Sequence, residues 1–281
     1  MTDPLVSASW LAERRGSADL IVVDATMAMV GVPDAPKGAE LHRQGHIPGA
    51  VFFDVDEVAD KTTNLPHMLL GPDAFAEAAG RLGLRRDATI VAYDAHGMFS
   101  APRLWWTLRT MGYEQVFVLD GGLKAWRTPG GAVETGDVVP RPTTVAPAFR
   151  PELVRDLDAV RSALEDGPQI VDARSAGRFR GEEPEPRAHL RRGHMPGARN
   201  VPWTALLNPD STLKSPDELE KTFAAAGVDL ARPLITTCGS GVTASVLALG
   251  LARLGRTDVA VYDGSWTEWG GRDDTPVVTG P

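Results

Sequence analysis

A single cysteine, Cys238, occurs in 281 residues. One thiol cannot close an intrachain disulfide or build a multi-cysteine zinc site. It is left to be a small buried apolar residue or a reactive group. Positive charge is also short, since 29 Lys and Arg against 37 Asp and Glu leave a net charge of −8. That balance disfavours general binding to nucleic acid or to an anionic membrane, and an anionic substrate must find a local basic pocket. Long apolar runs are missing as well: no stretch reaches the ~18 residues of a membrane span. The opening MTDPLVSASWLAERRG is too polar for the core of a secretory signal, so a cytoplasmic location is expected.

What is present is a globular composition, 43% apolar and 23% charged. The order of its motifs shows a duplication. Ile21-Val22-Val23-Asp24-Ala25 matches Gln169-Ile170-Val171-Asp172-Ala173, and His46-Ile47-Pro48-Gly49-Ala50 matches His194-Met195-Pro196-Gly197-Ala198 at the same offset. Gly71-Pro72-Asp73 then answers Ser215-Pro216-Asp217, and Asp120-Gly121-Gly122 with Trp126 answers Asp263-Gly264-Ser265 with Trp269. Between the copies, Pro129, Pro140, Pro142, Pro147 and Pro151 punctuate a stretch with no helical or alternating period. The expected division is a first domain over 1–134, an extended linker over 135–150 and a second domain over 151–281.

Short apolar runs alternate with amphipathic stretches in each copy: LIVVDA, TIVAYD and QVFVLD, then QIVDA, PLITT and VAVYD. Runs so rich in Val, Ile and Leu suit strands buried on both faces of a parallel sheet. Ser215-Pro216-Asp217-Glu218 has the pattern of a capping box with proline in the first helical turn, and Gly227 suits the stop of that helix. Each copy is therefore expected to be an α/β domain, a mostly parallel sheet flanked by helices. Ligands of such sheets bind at the carboxyl ends of strands.

Cys238 stands at such an end, where PLITT gives way to Gly239-Ser240-Gly241-Val242-Thr243 and an apolar stretch suited to a buried helix. Two glycines allow the backbone to turn several N–H groups into one concave nest, and the helix start adds partial positive charge. A thiolate, and with it a nucleophile, is favoured there. Aligning the copies puts Asp94 of YDAHGMFSAPR where Cys238 stands, so the first copy has no sulfur nucleophile. Position 244, six residues after the cysteine, is alanine, where phosphatases that use a cysteine in a nest need an arginine. No histidine lies near Cys238 in the sequence, although Cys–His enzymes place theirs through the fold.

The doubled HIPGA and HMPGA elements, the Asp172-Ala173-Arg174 turn, Gly177 to Gly181, Pro184 to Arg187 and the Cys238 loop together resemble the tandem-domain rhodaneses, the thiosulfate and 3-mercaptopyruvate sulfurtransferases. The resemblance covers nearly the whole chain. It implies two rhodanese-like domains, an inactive first one and a catalytic second one, and a sulfurtransferase that works through a persulfide on Cys238 without metal or organic cofactor. It implies that Arg178 and Arg187 bind the anionic end of a small sulfur donor, for which guanidinium offers paired donors. The loop residues Gly239, Gly241, Val242 and Thr243 would cradle the transferred sulfur. A thiol, thioredoxin or cyanide would accept it, with neither nucleic acid nor membrane as a partner.

Members that prefer thiosulfate carry Arg and Lys directly after the cysteine, whereas this loop has Gly239 and Ser240. The less cationic loop favours 3-mercaptopyruvate over dianionic thiosulfate, and in that branch Ser240 is a candidate for moving a proton. The alternatives are a thiosulfate:cyanide sulfurtransferase and a non-catalytic persulfide carrier. His46 and His194 recur in both copies and are read as holding a shared turn, as are Asp24 and Asp172. Trp105, Trp106, Trp266 and Trp269 are expected to pack in the core and at interfaces.

Overall fold

A computed structural model describes residues 3–29, 32 and 34–281. The chain separates into two compact units. One contains the residues through Asp60, Leu69–Arg150 and Asn208–Leu213; the other contains Lys61–Met68, Pro151–Leu207 and Lys214–Pro281. Each unit thus includes a short segment from the other half of the sequence, which self-similarity alone does not reveal.

In the first unit the elements run β1 Leu5–Val6, α1 Ala8–Arg14, β2 Leu20–Asp24, α2 Gly38–Gln44, β3 Val51–Phe52, α3 Pro72–Arg81, β4 Thr89–Tyr93, α4 Ala101–Thr110, β5 Val116–Leu119 and α5 Gly122–Arg127. Its strands form one sheet in the order β1-β5-β4-β2-β3, every pair parallel. The second unit repeats the plan with β6 Val154–Arg155, α6 Leu157–Asp166, β7 Gln169–Asp172, α7 Ala176–Arg180, β8 Arg199–Asn200, α8 Pro216–Ala225, β9 Leu234–Thr237, α9 Ala244–Arg253, β10 Ala260–Tyr262 and α10 Ser265–Trp269. Its order is β6-β10-β9-β7-β8, again all parallel. The register is preserved too, since Asp24 pairs with Tyr93 as Asp172 pairs with Thr237.

The central strands are apolar throughout because both faces are covered. All four residues of β9 are buried, and α9 is buried from Ala244 through Ala252. A helix apolar on every side belongs in the interior, and each fully buried Leu or Val contributes ~1.5–3 kcal/mol. Trp105, Trp106, Trp266 and Trp269 are buried, the last two in a cluster with Phe179, Met195 and Tyr262. At α8, the Glu218 carboxylate accepts the Ser215 N–H at 3.1 Å and its hydroxyl at 2.6 Å, the arrangement of a capping box.

Residues 135–150 form no helix or strand and group with the first unit. Thr143 N–H donates to Gly80 O at 2.9 Å, and Arg150 N–H to Thr110 O at 2.8 Å. Gly80 is required by that approach, because a Cβ there would lie 2.6 Å from Thr143 O. The doubled histidines hold equivalent turns. His46 Nδ1 donates to His42 O at 2.9 Å and His194 Nδ1 to Phe179 O at 2.8 Å. Their main chains form two-residue bridges to Glu134 and Val278. Asp24 and Asp172 accept the N–H of Thr26 and Arg174, turning the chain as it leaves each strand. Among the described residues no helix is long and apolar enough to cross a membrane.

Candidate active site

Cys238 follows β9 directly, and Thr243 is the residue before α9, so the loop between them lies at a strand's carboxyl end and a helix start. The first N–H groups of a helix have no partner within it, which suits this end to a negative charge. Gly241 has φ +78, a left-handed conformation that glycine adopts freely and that turns the loop back on itself. The loop is fixed from β10 and α10. Trp266 N–H donates to Cys238 O at 2.9 Å, and Thr267 donates to Gly239 O both from its N–H at 2.9 Å and from its hydroxyl at 2.7 Å. Cys238 N–H donates to the Ser265 hydroxyl at 3.2 Å. At the helix end, the Ser245 hydroxyl donates to Gly241 O at 3.2 Å.

Of the two arginines singled out in the sequence, Arg178 comes to Gly239, the residue next to the thiol, and Arg187 to Thr267, which holds Gly239. Arg178, on α7, places Nη2 3.1 Å from where a Cβ on Gly239 would stand. Arg187 donates through Nη1 to Thr267 Oγ1 at 3.4 Å, the hydroxyl that itself holds Gly239 O. Cys238 is 2% exposed, and Ser240 and Val242 are also buried. Gly239, Thr243, Arg178 and Arg187 are partly exposed. The two guanidinium groups are thus partly open to solvent while the thiol lies beneath the surface.

Arg178 is seated by a buried ionic network that the sequence reading did not identify. Its Nε and Nη2 donate to Glu185 Oε2 at 3.2 and 2.5 Å. The other oxygen of Glu185 accepts from Arg174 Nη1 at 2.8 Å, and Arg174 makes paired bonds to Asp172, with Nη2 to Oδ2 at 2.6 Å. The Arg174 guanidinium lies 4.1 Å over the Trp266 ring and donates to Gly193 O. Burial alone would pull Arg174 down, but Asp172 and Glu185 outweigh it and hold the guanidinium above the usual arginine range. By linkage the stabilisation from that raised value is present while Asp172 and Glu185 are ionised and is lost as pH rises above roughly 12. The signal for this network was a strand-end Asp followed two residues later by Arg; the partner Glu185 has no such mark. Two further arginines of the stretch serve elsewhere. Arg180 pairs with the exposed Glu182, and Arg191 binds carbonyls of Trp269, Gly270 and Thr275.

The equivalent loop of the first unit is filled by its own side chain. Asp94 Oδ2 accepts N–H groups of Phe99, Ser100 and Ala101 at 2.9, 2.9 and 2.8 Å, and Oδ1 accepts that of His96 at 2.8 Å. Burial pushes the Asp94 carboxyl up while these amides pull against it. A loop of this kind at this strand end is thus built to surround an acceptor.

Comparison with known proteins agrees with this architecture. The Rhodanese-like domain family matches residues 7–129 and 156–272. The chain is 46% identical over 273 residues to a 3-mercaptopyruvate sulfurtransferase of Escherichia coli (strain K12), covering 97% of this chain and 96% of that protein. It is 41% identical to the mitochondrial thiosulfate/3-mercaptopyruvate sulfurtransferase 1 of Arabidopsis thaliana, over 98% of this chain and 78% of that one. The crystal structure of SseA from Escherichia coli, described as showing the rhodanese fold and catalytic mechanism of 3-mercaptopyruvate sulfotransferases, superimposes with a TM-score of 0.87 at 45% identity, covering 94% of this chain and 99% of that one. With a repeated sheet order and family matches across both halves, the chain belongs to the rhodanese-like family and carries two of its domains.

Proposed function

We propose that the protein is a sulfurtransferase that takes sulfur from 3-mercaptopyruvate onto Cys238 and passes it to a thiol, thioredoxin or cyanide. The observation that carries this reading is the placement of Arg178 against Gly239, beside the chain's one thiol, with Arg187 bonded to the Thr267 hydroxyl that holds Gly239 O. The arginines grip the donor's carboxylate through charge-assisted hydrogen bonds. The Cys238 thiolate attacks the donor sulfur; the sulfur–sulfur bond forms as the carbon–sulfur bond breaks. The electron pair of the broken bond goes to carbon as the enolate of pyruvate, which takes up the donor thiol's proton, with Ser240 as its carrier. The outer persulfide sulfur then rests among the N–H groups of Gly239, Gly241, Val242 and Thr243. An acceptor thiolate attacks that sulfur and returns Cys238 as the leaving thiolate. No metal or organic cofactor enters these steps, and neither nucleic acid nor membrane is a partner. We place the protein in the cytoplasm, where a functional lone thiol stays reduced.

We assign the catalytic domain to residues 151–281, the linker to 135–150 and an inactive domain to 1–134. The donor assignment follows from charge. Gly239 and Ser240 add no cation to the loop, and Arg178 is already shared with Glu185, so a monoanion suits the pocket better than a dianion. Mass spectrometry after exposure to each donor, with pyruvate release measured in parallel, tests it. One added sulfur on Cys238, loaded faster from 3-mercaptopyruvate and followed by multiple turnovers, is expected. Faster loading from thiosulfate would overturn the donor, and a persulfide that never turns over would indicate a carrier. Ser240→Lys should move preference toward thiosulfate.

A further inference from the structure

We propose that Ser265 is a positioning residue for sulfur transfer, holding the main chain of Cys238 through its hydroxyl; this rests on Cys238 being the nucleophile. The duplicated plan makes the assignment possible. Leu123 N–H donates to Asp94 O at 3.0 Å just as Trp266 N–H donates to Cys238 O at 2.9 Å, so Gly122 and Ser265 occupy the same position in their units. Gly122 has φ +57. A Cβ there would collide with Asp94 O and lie 2.8 Å from Gly97 O, so only glycine fits. The second unit keeps the same backbone at φ +50 but fills it with serine. Glycine adopts that conformation without penalty, whereas a serine does so against repulsion between its Cβ and the following carbonyl.

Backbone strain kept beside a reactive group points to something that side chain supplies. The Ser265 hydroxyl donates to Tyr262 O at 2.8 Å and accepts from Cys238 N–H at 3.2 Å and from the Thr237 hydroxyl at 3.4 Å. A hydroxyl has one hydrogen to give and two acceptor positions, and here all three are used in full burial. The hydroxyl thereby ties the peptide between Thr237 and Cys238 to the end of β10. From that peptide the thiol-bearing side chain departs, so its rotation would carry the sulfur away from the donor.

Two variants separate the hydroxyl from the backbone. Ser265→Ala retains the Cβ and the strained conformation but loses the hydroxyl; Ser265→Gly loses both and reproduces the residue of the first unit. Single-turnover formation of the Cys238 persulfide is expected to slow about 10- to 100-fold in each, the scale of a misplaced reacting group. Donor KM should stay within about twofold, because the arginines that grip the donor are untouched. A merely structural role would lower the unfolding midpoint and leave the rate of the folded enzyme unchanged. Rates within about twofold of the unsubstituted enzyme in the variants that fold would overturn the proposal. If either variant fails to fold, the other carries the same rate test. Cys238→Ala is the control: sulfur transfer surviving in it defeats the nucleophile itself, while loss in it beside unimpaired Ser265 variants defeats only the role of Ser265.

Discussion

The loop after β4 and the loop after β9 begin from equivalent strand positions and end at equivalent helices, α4 and α9, yet one closes on its own carboxylate and the other carries sulfur. In the first, four main-chain amides are satisfied by Asp94. In the second, a thiol stands in that place with Arg178 at its neighbour Gly239 and Arg187 at Thr267. The difference separates what the shared backbone provides from what was added to one copy. Amides at a strand end are common property; the guanidinium groups, the Glu185 seat and the Ser265 hydroxyl belong to the second copy.

Exchange of the distinguishing residues is the strongest way to break this comparison. Cys238→Ala is expected to reduce sulfur transfer by more than about a thousandfold, as loss of a covalent nucleophile does. Adding Asp94→Cys to that variant should restore nothing, since the first unit has Gly122 where Ser265 holds the cysteine and Thr26 where Arg174 seats Arg178. Pyruvate release measured on both variants decides it, and recovered turnover would mean that the nest alone suffices. Next in size is Arg178→Ala. Loss of two charge-assisted bonds to the donor, about 2–4 kcal/mol together, should lower kcat/KM about 30- to 1000-fold. Steady-state kinetics with 3-mercaptopyruvate measure it.

A smaller effect concerns the first unit's own anion. Asp94→Asn replaces an oxygen that accepts several amides by a donor that cannot, and should cost about 1–3 kcal/mol of stability. The pH dependence has a defined sign. Because burial raises Asp94 in the folded state, the folded chain binds more protons than the unfolded one between the ordinary value near 4 and the raised one. This group's contribution to stability therefore falls as pH rises through that window, and Asp94→Asn should flatten the slope there. Chemical denaturation across acidic pH tests it. Smallest is the matched pair of helix starts. Ser215 caps α8 with Glu218, while Gly71 at the start of α3 caps without a side chain and has open space at its Cβ position. Ser215→Ala should cost about 1 kcal/mol and Gly71→Ser should gain a few tenths, read as opposite shifts in unfolding midpoint.

The fold was legible because duplication doubles every clue. Two weak strand patterns at a common offset support one another, and LIVVDA and QIVDA do occupy the same register in sheets of the same order. Cys238 and the glycines around it were readable since a thiol between a buried strand and an apolar helix has few uses. Arg178 and Arg187 stood out only through the resemblance, for their chemistry is shared by four other arginines in the same stretch. Glu185, Thr267 and Ser265 were missed for a common reason. Each acts through a partner distant in the chain or through a main-chain atom, and neither leaves a periodic or compositional trace. That Lys61–Met68 groups with the second unit and Asn208–Leu213 with the first was not legible, because where a loop packs is decided by surfaces the sequence does not display.

The carboxylate seated in the first unit's nest has a consequence for the whole protein in a cell crowded with sulfate, phosphate and metabolite acids. A vacant cradle there would be a decoy, capturing such ions at a place that has no thiol. Plugged from within by Asp94, that loop keeps its four amides from them.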